Sequence, residues 1–375
     1  MPRHQDVLFT PFRVKGLELP NRIVMAPMTR NFSPGNVPGA DVAAYYRRRA
    51  EGGTGLIITE GTCVAHPAAS AYENVPFFHG EAALAGWRRV AEEVHTAGGR
   101  VAPQLWHTGA MRGIGAPGKA IDPWPEVPAH TPSGLLMPGR EHGHAMTQAD
   151  IDAVVEAFAQ GAADAQRLGF DAIEIHGAHG YLIDQFFWEG TNRRSDAYGG
   201  SIAKRTRFAA EIVAAARARV GTDFPIILRF SQWKLQNYQA RLVTSPGELE
   251  TFLAPLAEAG VDVFHCSTRR FWEPEFADSD LNLAGWTRKL TGKPSIAVGS
   301  ITLDQDFIDE HKRNIGTHAE PASLRNLEEL LARGDFDLVA VGRSLIPNPD
   351  WPKLVAAGRE GELRPYDKSD LETLT

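Results

Sequence analysis

Residues 171–208 read DAIEIHGAHGYLIDQFFWEGTNRRSDAYGGSIAKRTRF. The opening five, Asp171-Ala-Ile-Glu-Ile175, form a short apolar, β-branched run that reads as a buried strand. The run passes directly into His176-Gly-Ala-His179-Gly-Tyr181, so two imidazoles and a phenol emerge together where a strand gives way to its loop. An alanine-rich segment with helical spacing follows from Ser201. Strand, chemistry-bearing loop and helix, in that order, make up the repeating unit of a parallel sheet with crossover helices.

The same unit recurs on both sides. Apolar runs at 21–26, 55–59, 100–105, 171–175, 225–230, 261–266, 294–298 and 337–341 alternate with amphipathic segments at 41–51, 81–97, 147–168, 201–220, 246–259, 283–290, 323–333 and 350–357. The segment at 147–168 is the clearest helix: Thr147 with Asp150 resembles a capping box, Ile151, Val154, Val155 and Phe158 keep helical spacing, and Gly169 stops it. Eight such units with no internal linker predict one α/β domain over residues 1–375, a single (β/α)8 TIM barrel rather than an open doubly wound sheet. Residues 1–20 would form an N-terminal cap whose hairpin, within 7–20, plugs the N-terminal mouth. The long connections after strands three and six, 111–146 and 268–282, have the length of lids or walls around an active site.

Composition narrows the function. A chain of 375 residues that is 43% hydrophobic can bury one large core. Its net charge of -7, with Lys and Arg scattered, leaves no electrostatic footprint for nucleic acid. The first six residues carry no apolar leader, and no later run has the length of a membrane span, so a cytoplasmic protein with no membrane partner is expected, as a monomer or homo-oligomer. Cys63 and Cys266 are far apart and form no CxxC, which argues against a disulfide framework, a structural zinc site or an iron-sulfur cluster.

A barrel of this kind keeps its chemistry at the C-terminal ends of its strands. Those ends are Pro27-Met-Thr29-Arg30, Glu60-Gly61-Thr62, Gln104-Leu-Trp106-His107, His176 to Tyr181, Arg229 with Ser231, His265-Cys-Ser267, Gly299-Ser300 and Gly342-Arg343. The last two suit a phosphate, because glycine lets backbone N–H groups approach closely and Arg343 offers a bidentate fork. Gln104 and Arg229 would point donors into the mouth. A buried Arg229 needs an anionic partner, for which Glu60 is the one acid at a neighbouring strand end; a cofactor that becomes anionic would also serve.

In this order and spacing, Met25-Ala-Pro-Met-Thr29-Arg30, Gln104-Leu-Trp106-His107, His176-Gly-Ala-His179-Gly-Tyr181, Asn192-Arg-Arg-Ser-Asp-Ala-Tyr-Gly-Gly-Ser201 and Gly342-Arg343 resemble the Old Yellow Enzyme family of flavin-dependent ene-reductases. The resemblance runs from Asn21-Arg22 to Asn348-Pro-Asp350. It implies tightly bound, non-covalent FMN, NADPH or NADH as reductant, and ping-pong hydride transfer to the activated C=C bond of a small α,β-unsaturated carbonyl or nitro compound. By the same resemblance, Ala26, Pro27, Met28 and Thr29 would line the flavin edge, with Gly61 beside the ring. Gln104 and Arg229 would hold its pyrimidine end, and Gly299, Ser300, Gly342 and Arg343 its phosphate. Trp106, Phe271 and Trp272 become pocket walls, His176 and His179 donors to the substrate oxygen, and Tyr181 the proton source. No metal is implied. His179 stands where some relatives carry Asn, and either can donate. Phe230-Ser-Gln-Trp233 departs from the family pattern and bears on loop shape and substrate choice.

The residues themselves leave two alternatives open. His107, His176, His179 and His265 could converge as ligands of a metal-dependent hydrolase, although Gly342-Arg343 would make a poor eighth strand end for a metal. A flavin-binding barrel without enzymatic activity is the other.

Overall fold

The computed structural model describes residues 7–114, 126–303, 318–319 and 324–375. Residues 1–6 of the expected cap, 115–125 of the connection after strand three, and residue 323 at the expected start of the seventh helix lie outside the described residues. Each of the eight apolar runs is a barrel strand: β1 Ile23–Met25, β2 Leu56–Cys63, β3 Val101–Trp106, β4 Ile173–His179, β5 Ile226–Lys234, β6 Val263–Ser267, β7 Ser295–Val298 and β8 Leu338–Val341. All neighbours pair in parallel, and β8 returns to β1 through Val339↔Ile23 and Val341↔Met25, which closes the barrel.

Three strands outrun their apolar stretches. β2, β4 and β5 continue into polar residues, so His176 and His179 lie on strand β4 itself, paired with β5 at His176↔Arg229 and His179↔Lys234 across an irregularity after Gly177. Hydrophobicity marks where a strand is packed on both faces, whereas hydrogen bonding continues to the rim, where inward side chains meet a cavity instead of a core.

The outer layer follows the periodicity: α1 Ala40–Glu51, α2 Glu81–Thr96, α3 Gln148–Arg167, α4 Ile202–Val220, α5 Pro246–Ala259, α6 Leu283–Thr291, α7 Arg325–Arg333 and α8 Trp351–Ala356. The Thr147/Asp150 capping box opens α3, and Ser201 caps α4 through Lys204 N–H. A six-residue helix, Leu182–Phe187, directly follows Tyr181 and is buried throughout; it is too short for its periodicity to register in the sequence. Between strands and helices lies the main core, with Trp87, Phe158, Phe208 and Trp351 wholly enclosed.

A second apolar cluster fills the barrel itself. Val24, Ile58, Ile227, Val263, Ile296 and Leu338 face inward, and Leu17 and Leu19 of the hairpin Phe12–Val14/Leu17–Leu19 join them at 2% exposure each. The alternation of Leu17 and Leu19 with exposed Glu18 is what lets a two-stranded ribbon close the N-terminal end. Leu19→Ala is therefore expected to lower unfolding free energy by about 2–4 kcal/mol in urea denaturation; a change within about 0.5 kcal/mol, the scatter expected of a surface site, would show that the hairpin carries no part of the core.

Candidate active site

A cavity of about 460 Å³ opens at the opposite, C-terminal end of the barrel. Ala26, Pro27, Met28 and Thr29 line it after β1, Gln104 and Trp106 from β3, and His176, His179 and Tyr181 from β4. Arg229 enters from β5, Gly299 and Ser300 after β7, and Gly342 and Arg343 after β8. Seven of the eight strand ends, those of β1 and of β3 to β8, meet here because each ends a strand of one closed barrel.

Three of the expected site residues stand elsewhere. Gly61 is not among the residues lining the cavity; a Cβ there would collide with the Trp106 indole, so the glycine leaves room for that ring. Phe271 belongs to the core, its N–H donates to Gly299 O at 3.2 Å, and its ring meets Trp272 edge-on at 5.1 Å. The connection after β6 thus braces Gly299 from outside, and the part of it that lines the cavity is its start, Thr268 and Arg269. Trp233 and Leu235, at the far end of β5, take the wall position expected of the two aromatics. Arg229, Ser231 and Trp233 alternate along one strand face, so extending the period of two past the apolar run finds Trp233 in the sequence. Tyr366 and Leu371, from the C-terminal segment, also line the cavity, and no strand–helix pattern points to them.

Beneath the cavity floor lies a buried carboxylate that sequence reading passed over. Glu174, wholly enclosed and two residues before His176 on the same face of β4, accepts Gln104 Nε2–H at 2.7 Å and pairs with His265 Nδ1 at 2.6 Å. It is also the acid whose field opposes the desolvation that pulls Arg229 below its ordinary pKa. Glu60, the sequence-based choice, instead accepts the N–H groups of Arg30 (2.9 Å) and Asn31 (3.2 Å) and so fixes the chain beyond Thr29.

Arg229 is 7% exposed, donates Nη2–H to Ser267 Oγ at 3.3 Å, and leaves its Nε–H without a partner. The cation is thus undersatisfied. His176 accepts the Ala178 N–H on Nδ1 at 3.3 Å, which places the proton of its neutral ring on Nε2. Its ring stacks on Trp106 (5.8 Å, 17°) and meets Tyr181 and His179 edge-on at 5.1 and 5.3 Å. His179 Nε2 lies 2.7 Å from Ser267 Oγ, with the ring flat against Trp233 at 4.5 Å. Burial, reinforced by the Arg229 charge, pushes both imidazoles well below the usual histidine value, so both are neutral at neutral pH. Burial raises the Tyr181 phenol well above 10, keeping it protonated, and its hydroxyl lies 3.5 Å from that of Tyr72.

The imidazoles that a metal-dependent hydrolase would use do not gather. His107 Nε2 meets His66 Nδ1 at 3.1 Å, and His265 is committed to Glu174. Among the described residues no group of three or more His, Cys, Asp or Glu side chains is placed to hold a metal.

An undersatisfied buried arginine and neutral donors thus gather around one cavity at the C-terminal mouth of a closed barrel. A profile of the NADH:flavin oxidoreductase / NADH oxidase family matches residues 7–362. The NADH oxidase of Thermoanaerobacter brockii is 34% identical over 372 residues, covering 96% of this chain and 52% of its own length, so the chain spans about half of that relative. The flavin oxidoreductase hxnT of Emericella nidulans is 33% identical over 380 residues, with 97% and 93% covered. The structure of morphinone reductase in complex with tetrahydroNAD superposes with a TM-score of 0.78 at 30% identity, covering 97% of this chain and 93% of the other. The chain belongs to the NADH:flavin oxidoreductase / NADH oxidase family, the family of the Old Yellow Enzyme. Its cofactor is FMN. The residues present fit that cofactor, since the open Arg229 Nε–H faces a need that an electron-rich ring at the cavity floor meets.

Glu60 generates a pH prediction. Burial raises its carboxyl from 4.5 to about 7. Between those values the folded chain holds a proton that the unfolded chain has released, so stability falls as pH rises through that window and the loss is complete above about pH 7. Glu60→Gln keeps an acceptor for the two N–H groups without the charge. Its stability relative to the native protein should rise by up to about 3 kcal/mol from pH 5 to pH 8, read by urea denaturation at each pH; parallel pH profiles would contradict the assignment.

Proposed function

We propose that the protein is an ene-reductase, reducing the activated C=C bond of small α,β-unsaturated carbonyl or nitro compounds at the expense of NADPH or NADH. The observation that carries this reading is the juxtaposition, on one wall of the cavity, of two neutral imidazoles and a protonated phenol, with the His176 ring 5.3 Å from that of His179 and 5.1 Å from that of Tyr181. Neutral donors that need not release a proton suit an oxygen that gains negative charge, and a phenol held protonated suits delivery of a proton to carbon.

Gln104 and Arg229 would hold FMN at its ring and Gly299, Ser300, Gly342 and Arg343 at its phosphate, and bound there it would supply the hydride. His176 donates from Nε2 to the substrate oxygen, because its Nδ1 is already engaged with Ala178. His179 provides the second donor, and Trp233 stacked on it and Trp106 stacked on His176 hold the two rings in place. Loss of one well-aimed donor of this type costs about 3 kcal/mol in the transition state. Tyr181 keeps its proton at Oη for the α-carbon, with the Tyr72 hydroxyl behind it. Ala26 to Thr29 and the wall of Trp106 and Trp233 exclude water from the reacting centre. The nicotinamide nucleotide and the alkene use the cavity in turn, which gives ping-pong kinetics.

No helix among the described residues is long and apolar enough to cross a membrane. The charge balance favours a small-molecule substrate over nucleic acid, and we take the cytoplasm as its compartment.

The test is the visible spectrum of the anaerobic holoenzyme on adding NADPH and then cyclohexenone. Bleaching followed by return of the oxidised spectrum is expected. Tyr181→Phe should keep the bleaching and slow the return about 100-fold. Return at the native rate would remove Tyr181 as the acid, and a reduced enzyme that no enone reoxidises would overturn the activity.

A further inference from the structure

The turn that presents His179 and Tyr181 is bent against its own preference. His179 has φ +64° and Gly180 φ +81°, two successive left-handed residues, and the first is not glycine. A histidine in that region is strained, and such conformations persist where neighbours over-determine them. The neighbours here come from the rim of β5 and from the short helix after Tyr181. His179 N–H donates to Ser231 Oγ at 2.9 Å, and His179 O accepts Leu235 N–H at 3.2 Å. Gly180 O accepts from Gln185 Nε2 (2.6 Å) and Gln236 Nε2 (2.8 Å), while Gly180 N–H donates to Asp184 Oδ2 at 2.6 Å.

Asp184 is the first residue in this set that carries a charge, and its other oxygen accepts from Lys234 Nζ at 2.6 Å. Both side chains are 0% exposed. Lys234 also donates to Ser231 O at 3.1 Å, so one ammonium joins the β5 rim to the helix that begins at Leu182. Neither residue lines the cavity. A buried ion pair is seldom the most stable way to fill a volume, since two well-packed apolar residues often serve as well or better. Its directionality is what an apolar pair lacks.

We propose that Asp184 and Lys234 form a positioning clamp that sets where His179 and Tyr181 meet the substrate. The clamp fixes the Gly180 peptide from the helix side, and through Ser231 it fixes the His179 peptide from the strand side. Lys234 is also among the charges that keep His179 neutral. Trp233, its chain neighbour, stacks on the His179 ring, so a shift of the β5 rim moves the ring as well as its backbone. The inference rests on the reading that His179 and Tyr181 face the substrate oxygen and α-carbon.

The experiment uses the FMN-loaded holoenzyme of the double variant Asp184→Asn/Lys234→Met. This removes both charges together and keeps an acceptor for Gly180 N–H. Thermal midpoint and FMN retention report on folding; the Kd of p-hydroxybenzaldehyde, read from the change in flavin absorbance, reports on the donors; reoxidation of the prereduced enzyme by cyclohexenone reports on Tyr181. With midpoint and FMN retention as in the native holoenzyme, a Kd raised at least about tenfold and reoxidation slowed at least about tenfold support the clamp. Both values within twofold of native overturn it. Should the double variant lose FMN or fail to fold, Ser231→Ala removes the acceptor of His179 N–H through which the clamp reaches the strand side: a threefold or larger rise in Kd at an unchanged midpoint supports the clamp, and an unchanged Kd overturns it. Tyr181→Phe, run in parallel, separates the two levels of inference, because native reoxidation in that variant defeats the assignment of Tyr181 itself, whereas slow reoxidation there with a native-like clamp variant defeats the clamp alone.

Discussion

The Glu174 carboxylate organises the polar groups beneath the cavity, where Gln104 and His265 bond to it and Arg229 feels its charge. It sits between an apolar lower barrel, sealed by Leu17 and Leu19, and a cavity lined with donors. A charge in that position would be prohibitive alone. It is tolerated because Gln104 and His265 bond to its two oxygens and the Arg229 guanidinium lies within its field. In return the orientation of Gln104 is fixed, and Arg229 is left charged with its Nε–H open. Glu174 thus sets the character of the cavity floor, while Ser267, shared by Arg229 and His179, ties that floor to the histidine wall.

The fold was legible because the barrel repeats one rule eight times: a buried strand must be apolar on both faces, and a crossover helix on one. Those patterns survive in 21–26 through 337–341 with little interference. What failed were the edges. β2, β4 and β5 run on into Glu60, His176 and Ser231 because hydrogen bonding does not require hydrophobicity, so strand residues at the rim read as loop. The same effect hid Glu174 in plain sight within an apolar run and made Glu60, at a strand end, the candidate partner of Arg229.

Site residues were legible to the extent that they end strands. The resemblance puts Phe271 and Trp272 on the cavity wall, yet the connection folds back and buries Phe271 in the core. Trp233 was signalled by alternation with Arg229 and Ser231. Tyr366 and Leu371 were not, since contacts between a C-terminal segment and the barrel mouth depend on the path of the chain over the surface and leave no periodic trace. The Asp184–Lys234 pair is similarly invisible: two charges 50 positions apart reveal their partnership only once β4 and β5 are side by side.

The hairpin that closes the barrel floor has a consequence for traffic. With the lower interior packed by leucine, isoleucine and valine, the cavity is closed toward the N-terminal end and opens toward the C-terminal rim, where Trp233 and Leu235 stand. On the ene-reductase reading proposed above, a spent nucleotide would leave by the way it came before an alkene entered, and either in excess would obstruct the other.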